Sequence, residues 1–213
     1  MILMRSIFFL GALTLAAPAV LIPAMATPAA AQAASDVTAP VSTLYTALTA
    51  VEGQKNAGSF EQRSQSLAPA IDRAFNLPTV LQASIGLRYR SLPDAQKQSL
   101  EQVFRQFTIA RYVSNFAPGT GDVFKVLPAV RPSPYGSDQI VQTQIVSGSG
   151  SVTRIDYVMR QFPQGWQAVD VLLDGHISQV AVQRSDFGST VSTGDATPLI
   201  ESLKKKIQSF SET

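Results

Sequence analysis

Between residues 139 and 184 the chain reads QIVQTQIV, SGSG, SVTRIDYVMRQF, PQG and WQAVDVLLDGHISQVAVQR. These are three β-rich runs separated by turn signals, and they constrain the fold more than any other stretch. β-branched and aromatic residues dominate each run, as in strands. The first turn, residues 147–150, has glycines able to take a positive φ, as tight hairpins need. Pro163-Gln164-Gly165 supplies the second. The expected product is a β-meander with one largely apolar face, which helices or a ligand must cover.

The preceding chain supplies helices. After a polar, Ala-rich linker (residues 34–40), Val41, Leu44, Leu48 and Val51 recur at helical spacing. Residues 53–58 read as a loop. Ser59 with Gln62 forms an S-x-x-Q capping box for a helix reaching Phe75, bent or restarted at Pro69. A short helix follows over residues 79–87. Ser91-Leu92-Pro93-Asp94 then predicts an N-capped helix carrying Leu100, Val103, Phe104, Phe107, Arg111, Tyr112, Val113 and Phe116. Residues 122–127 read as a first strand and the proline-rich residues 128–136 as a loop. Beyond Arg184, Thr197-Pro198 opens a last helix with Leu199, Ile200, Leu203, Ile207 and Phe210 on one face and Lys204 to Lys206 on the other. Helices, then strands, then one helix give an α+β class: N-terminal helices on a twisted antiparallel sheet of four to five strands, closed by a C-terminal helix. Residues 41–213 are expected to form a single domain.

The N-terminus reads as a processing segment. Arg5 precedes an apolar run from Ile7 to Ile22, and Ala31-Gln32-Ala33 is an A-x-A site, so residues 1–33 are expected to be a cleaved secretory signal peptide. Pro18 and Pro23 favour cleavage over a retained anchor. The chain's 17 basic and 15 acidic residues nearly balance, and losing Arg5 narrows the gap, so no nucleic-acid partner is expected. There are no cysteines, which excludes disulfides, lipid attachment at cysteine, thiol catalysis and Cys-ligated zinc.

Catalytic constellations are sparse. His176 is the single histidine, no G-x-S-x-G elbow is present, and no calcium loop occurs. No catalytic residue, metal site or cofactor is expected. Asp170 interrupts an apolar strand, and a carboxylate there calls for a basic partner, with Arg154, Arg160 and Arg184 as candidates. Alternation puts Trp166, Ala168, Asp170 and Leu172 on one face of that strand and Gln167, Val169, Val171 and Leu173 on the other. In the strand before it, Thr153, Ile155, Tyr157 and Met159 share one face. Arg154, Asp156 and Arg160 share the other, a solvent or docking side.

Three stretches, in order, carry a family resemblance. FEQRSQSLAPAIDRAFNL over residues 60–77 is similar to F-x-x-R…L-x-P-x-I-x-x-x-F-D-L. Gly86 to Arg90 with the helix behind it is similar to L-G-x-x-W followed by a helix ending in F…Y. Tyr157, then GWQAVDV from Gly165, Gly175, Ser178 and RSDF from Arg184 are similar to Y…G-W-x-V-x-D-V…G-x-S…R-x-x-F. The chain thus resembles the MlaC family of periplasmic lipid-binding proteins, also described as toluene-tolerance or ABC-transporter auxiliary proteins. SQVAVQRSDF is closer to its hopanoid-associated HpnM branch. Asn76 replaces the usual Asp, Tyr89 lies near the family's Trp, and one extra residue separates Gly175 from Ser178.

The resemblance implies an NTF2-like, MlaC-like fold enclosing an apolar pocket. It also implies a carrier moving a phospholipid or hopanoid through the periplasm between an inner-membrane ABC/MCE-type complex and an outer-membrane lipoprotein complex. The sheet and the earlier helices are expected to be the pocket walls. The expected lining is Val80, Leu81, Ile85, Val103, Phe104 and Phe107 from the helices, with Val141, Ile145, Ile155, Tyr157, Met159, Val169, Val171 and Leu173 from the strands. Two alternatives remain beside it. One is an enzyme acting on a steroid-like or polyprenoid substrate with Asp170 or His176 as base and Tyr157 as hydrogen-bond donor. The other is an adaptor docking through Lys204 to Lys206.

Overall fold

A computed structural model describes residues 29–53 and 58–212. The expected signal segment before Ala29 and most of the residue 53–58 loop lie outside the described residues. The elements are α1 (Ala29–Glu52), α2 (Phe60–Ala74), α3 (Leu77–Ile85), a 3₁₀ segment (Gly86–Ser91) and α4 (Asp94–Asn115). Five strands follow: β1 (Val123–Pro132), β2 (Gln139–Val146), β3 (Val152–Phe162), β4 (Gly165–Leu173) and β5 (Ile177–Ser178). Then come α5 (Gln179–Gly188) and α6 (Thr197–Ser211). The strands form one antiparallel sheet in the order β1-β2-β3-β4-β5. The α+β class and the meander are as the sequence predicts.

Local chemistry accounts for several boundaries. Ser59 Oγ accepts from Gln62 N–H (3.2 Å) and Gln62 Oε1 from Ser59 N–H (2.8 Å), so the capping box forms in both directions. Asn76 caps α3 through Oδ1, which accepts from Thr79 N–H, while its Nδ2 donates to Gln167 Oε1 at 3.0 Å. An ionised Asp at 76 has no N–H to donate, so asparagine does two jobs here where aspartate does one. Two expected serine or threonine caps are absent. The N-cap of α4 is Pro93, with Ser91 Oγ donating instead to Arg88 O, and the N-cap of α6 is Ala196.

Four expectations are corrected. Residues 34–40, read as a linker, are helical, and α1 runs through Pro40. Residues 128–132, read as loop, continue β1. β1 is an edge strand, and Pro128 falls within the register break between Val126 and Val130, where no ladder hydrogen bond is asked of it. Residues 179–184, read as strand, begin α5: Ser178 Oγ accepts from Ala181 N–H (3.0 Å), and the N-cap overrides the β-branched composition. Finally, β4 carries a bulge. Val158 pairs with Asp170 but Met159 pairs with Ala168, so Val169 is the extra residue. The bulge inverts the alternation, and Ala168 joins the face of Val171 and Leu173.

The glycine-rich turns pack on one another. A Cβ at Gly148 would lie 2.4 Å from Thr120 O, so only glycine lets the β2–β3 turn approach the loop after α4. The Glu52 carboxylate ties that loop down, accepting from Gly121 N–H and Thr120 Oγ1.

The core lies between the inner face of the sheet and the helices. Val141 and Thr143 of β2, Tyr157 and Met159 of β3 and Ala168 of β4 meet Leu44 and Leu48 of α1, Ile71 of α2, Leu81 of α3 and Leu100 of α4, all buried. On the opposite face Asp156 is fully buried under Arg154 (3.0 and 2.7 Å) and Arg131 (3.2 Å), and Asp138 lies under Arg160 (2.9 and 2.7 Å). Arg154 and Arg160, expected on a solvent or docking side, are exposed on that face and also engage carboxylates within the chain. Their carboxylate partners raise both guanidinium pKa values.

Candidate functional site

A cavity of about 110 Å3 lies between the inner face of the sheet and α3, α4 and α5. Its apolar body comes from Phe75, from Leu77 and Val80 of α3, from Phe104, Phe107 and Tyr112 of α4, from Phe116, and from Ile155, Tyr157, Val171 and Leu173 of the sheet. Cross-strand pairing explains the sheet contribution, since Ile155 sits opposite Leu173 and Tyr157 opposite Val171. Aromatic rings wall one side, with the Phe75 centroid 5.8 Å from Tyr112 and 6.0 Å from Tyr157.

Of the expected lining residues, the fold brings together Val80, Phe104, Phe107, Ile155, Tyr157, Val171 and Leu173. Leu81, Ile85, Val103, Val141 and Met159 are not among the lining residues; they are packed in the core. Ile145, opposite Phe124 at one end of the β1–β2 pair, and Val169 at the bulge are also buried without lining the cavity. The lining residues outside the expected set are Phe75, Leu77, Tyr112, Phe116 and Val180 together with a polar group. Thr108, Arg111 and Asn115 of α4, Asp170 of β4, and Gln179 and Gln183 of α5 all border the cavity. The α4 members lie at the three- and four-residue spacings of its apolar stripe, a signal that could have found them. The α5 members were hidden by reading that segment as strand.

The polar groups differ in how far the protein satisfies them. Asp170 has no arginine partner, contrary to expectation: Arg154 is bound to Asp156, Arg160 to Asp138, and Arg184 to Ala83 O. Its Oδ1 accepts from Val171 N–H (2.7 Å) and Val180 N–H (3.0 Å), and its Oδ2 from Ser178 Oγ (2.5 Å). The carboxylate thus ties β4 to the first turn of α5, where the helix dipole also favours it. Among the described residues Arg111 makes one hydrogen bond, from Nη2 to Gln179 Oε1 at 2.8 Å.

Behind the cavity, the hydroxyls of Tyr45, Tyr112 and Tyr157 interact within the core, and Tyr45 hydrogen-bonds Thr143 Oγ1 at 2.6 Å. Burial raises the pKa of all three, so they stay neutral donors well past their ordinary range. Of the groups named for the enzyme alternative, Asp170 and Tyr157 share the cavity, and both Asp170 oxygens accept from protein donors. His176 is exposed on the turn after β4, its Nδ1 against Asp174 O. Among the described residues no group of three or more His, Asp or Glu is placed to hold a metal ion. Of the α6 lysines, Lys204 is paired with Glu201 at 3.0 Å, and Lys206 borders a cleft beside Arg111.

The family model described as MlaC protein matches residues 42–205. A solved structure of the phospholipid-binding protein from Ralstonia solanacearum, in complex with a phospholipid, aligns with a TM-score of 0.70 at 18% identity. The alignment covers 83% of this chain and 99% of that one. No curated protein matches the sequence.

Proposed function

The chain belongs to the MlaC family, and from that premise we propose that it is a lipid-binding carrier whose tail site is the cavity between the sheet and α3, α4 and α5. The observation that carries the reading is the cavity itself. It has an aromatic and aliphatic body, with its amide, hydroxyl and charged groups supplied by α4, α5 and Asp170 of β4. The Ralstonia solanacearum protein of the same fold holds a phospholipid, which supports assigning that ligand class here.

In this reading Val80, Phe104, Phe107, Ile155, Tyr157, Val171 and Leu173 contact the acyl tails. At about 110 Å3 the cavity is smaller than the roughly 300–1,000 Å3 of typical ligand pockets, so loading requires it to expand. Apolar burial at about 25 cal/mol per Å2 then supplies the affinity without chemistry. The N-terminal export pattern supports a periplasmic location, and no helix among the described residues is long and apolar enough to cross a membrane. The carrier passes a phospholipid, or a hopanoid as in the HpnM branch, between inner- and outer-membrane complexes.

Native mass spectrometry of the protein purified from periplasm tests this. A bound lipid, released and identified on extraction, is expected. A protein that is reproducibly lipid-free, and that takes up none from phospholipid vesicles, refutes the reading.

A further inference from the structure

Two charged side chains border the cavity, and the protein treats them differently. Both oxygens of Asp170 are occupied by protein donors. Arg111 is half-buried with five N–H donors, of which one is used among the described residues, on the neutral amide of Gln179. Among the described residues no carboxylate lies within ion-pairing distance of its guanidinium. The adjoining cleft, bordered by Arg111, Gln179 and Gln183, adds Lys206 and one acid, Asp186. A partly desolvated cation without a counter-charge is costly, and an anionic ligand relieves that cost.

The stripe of α4 that lines the cavity varies in burial along its length. Phe104 and Phe107 are buried, Thr108, Arg111 and Tyr112 half-buried and Asn115 exposed, with Phe116 half-buried just beyond the helix. A single cation set in this largely aromatic stripe matches a molecule with a hydrocarbon tail and an anionic head.

We propose that Arg111 is the head-group site of this cavity, and that its guanidinium binds the phosphate of an anionic phospholipid whose tails occupy the apolar body. This rests on the carrier reading and adds what that reading leaves open, a preference for phosphate-bearing lipid over an uncharged lipid with the same chains. Guanidinium binds phosphate through two parallel charge-assisted hydrogen bonds, so the preference is strong and geometric.

The test loads the full chain from vesicles holding equal amounts of phosphatidylglycerol and diacylglycerol with identical acyl chains, and reads the bound ratio by native mass spectrometry. The wild type is expected to favour phosphatidylglycerol by about tenfold. Arg111→Gln is expected to abolish that preference while still binding diacylglycerol. Gln179→Glu is a second variant that relieves the unpaired charge: it puts a carboxylate against Nη2, fills the site from within, and is expected to erase the preference too. Equal binding of the two lipids by wild type, or a preference that survives both substitutions, overturns the inference and leaves the carrier reading standing. Failure of wild type to take up either lipid overturns both. Inorganic phosphate is the third probe: it is expected not to displace bound phosphatidylglycerol at millimolar concentration, and displacement reassigns Arg111 to a free anion.

Discussion

Asp170→Ala removes the acceptor for three donors, Val171 N–H at 2.7 Å, Val180 N–H at 3.0 Å and Ser178 Oγ at 2.5 Å. Loss of a capping acceptor costs about 1 kcal/mol, and loss of a charge-assisted bond about 1.5–3 kcal/mol. Asp170 and Ser178 are only half-buried, so water replaces part of what is lost, and the net destabilisation is about 2–3 kcal/mol. For a chain of this size that lowers Tm by about 4–12 °C. The loss is local, because the Ser178 hydroxyl still caps Ala181 N–H while the link from β4 to α5 is gone. Urea and thermal unfolding measure the total, and amide hydrogen exchange at Val180 and Ala181 measures the fraying of α5. Asp170→Asn is expected to fall between wild type and alanine. It keeps one oxygen for the backbone donors but turns an NH2 toward Ser178. A fall below about 0.5 kcal/mol, or a larger one with Val180 exchange unchanged, refutes the assignment of Asp170 as the strap between β4 and α5.

Gly148→Ala forces a Cβ to within 2.4 Å of Thr120 O and is expected to cost about 1–3 kcal/mol in urea unfolding, while Gly136→Ala, in open space, pays only for its positive φ. Val171→Trp fills the cavity and is expected to leave the circular dichroism spectrum intact while removing lipid uptake from vesicles. Alkaline pH reports the buried tyrosines. Tyr45, Tyr112 and Tyr157 have folded-state pKa values raised above the ordinary 10.0, so their stabilisation is complete below pH 10. Above it, the unfolded chain loses protons that the folded chain keeps. Stability is then expected to fall as pH rises above 10, seen as a falling urea midpoint, and Tyr157→Phe to lessen the slope.

The parts of this protein that depend on near neighbours were legible in its residues. The Ser59–Gln62 capping box, the Gly-rich and Pro163–Gly165 turns, the meander and the α4 stripe follow from spacings of a few residues. Their physics, caps, φ preferences and periodicity, acts over that range. The inner face of β3 was read correctly for the same reason: Ile155, Tyr157 and Met159 alternate without interruption.

Other features depend on partners far along the chain. The QVAVQR segment has strand composition, yet Asp170, eight and ten residues away from its hydrogen-bond partners Ser178 and Val180, fixes it as the start of a helix. The Val169 bulge moved Ala168 to the cavity face, a parity change that alternation alone has no means to announce. Prolines that read as loop sit in β1 because an edge strand leaves their missing N–H without consequence. Which arginine meets which carboxylate was settled only by tertiary structure, since sequence separation says nothing about cross-sheet distance. Arg154 and Arg160 found carboxylates on their own face of the sheet. Arg111, at an equally ordinary helical position, borders the cavity with no carboxylate partner among the described residues.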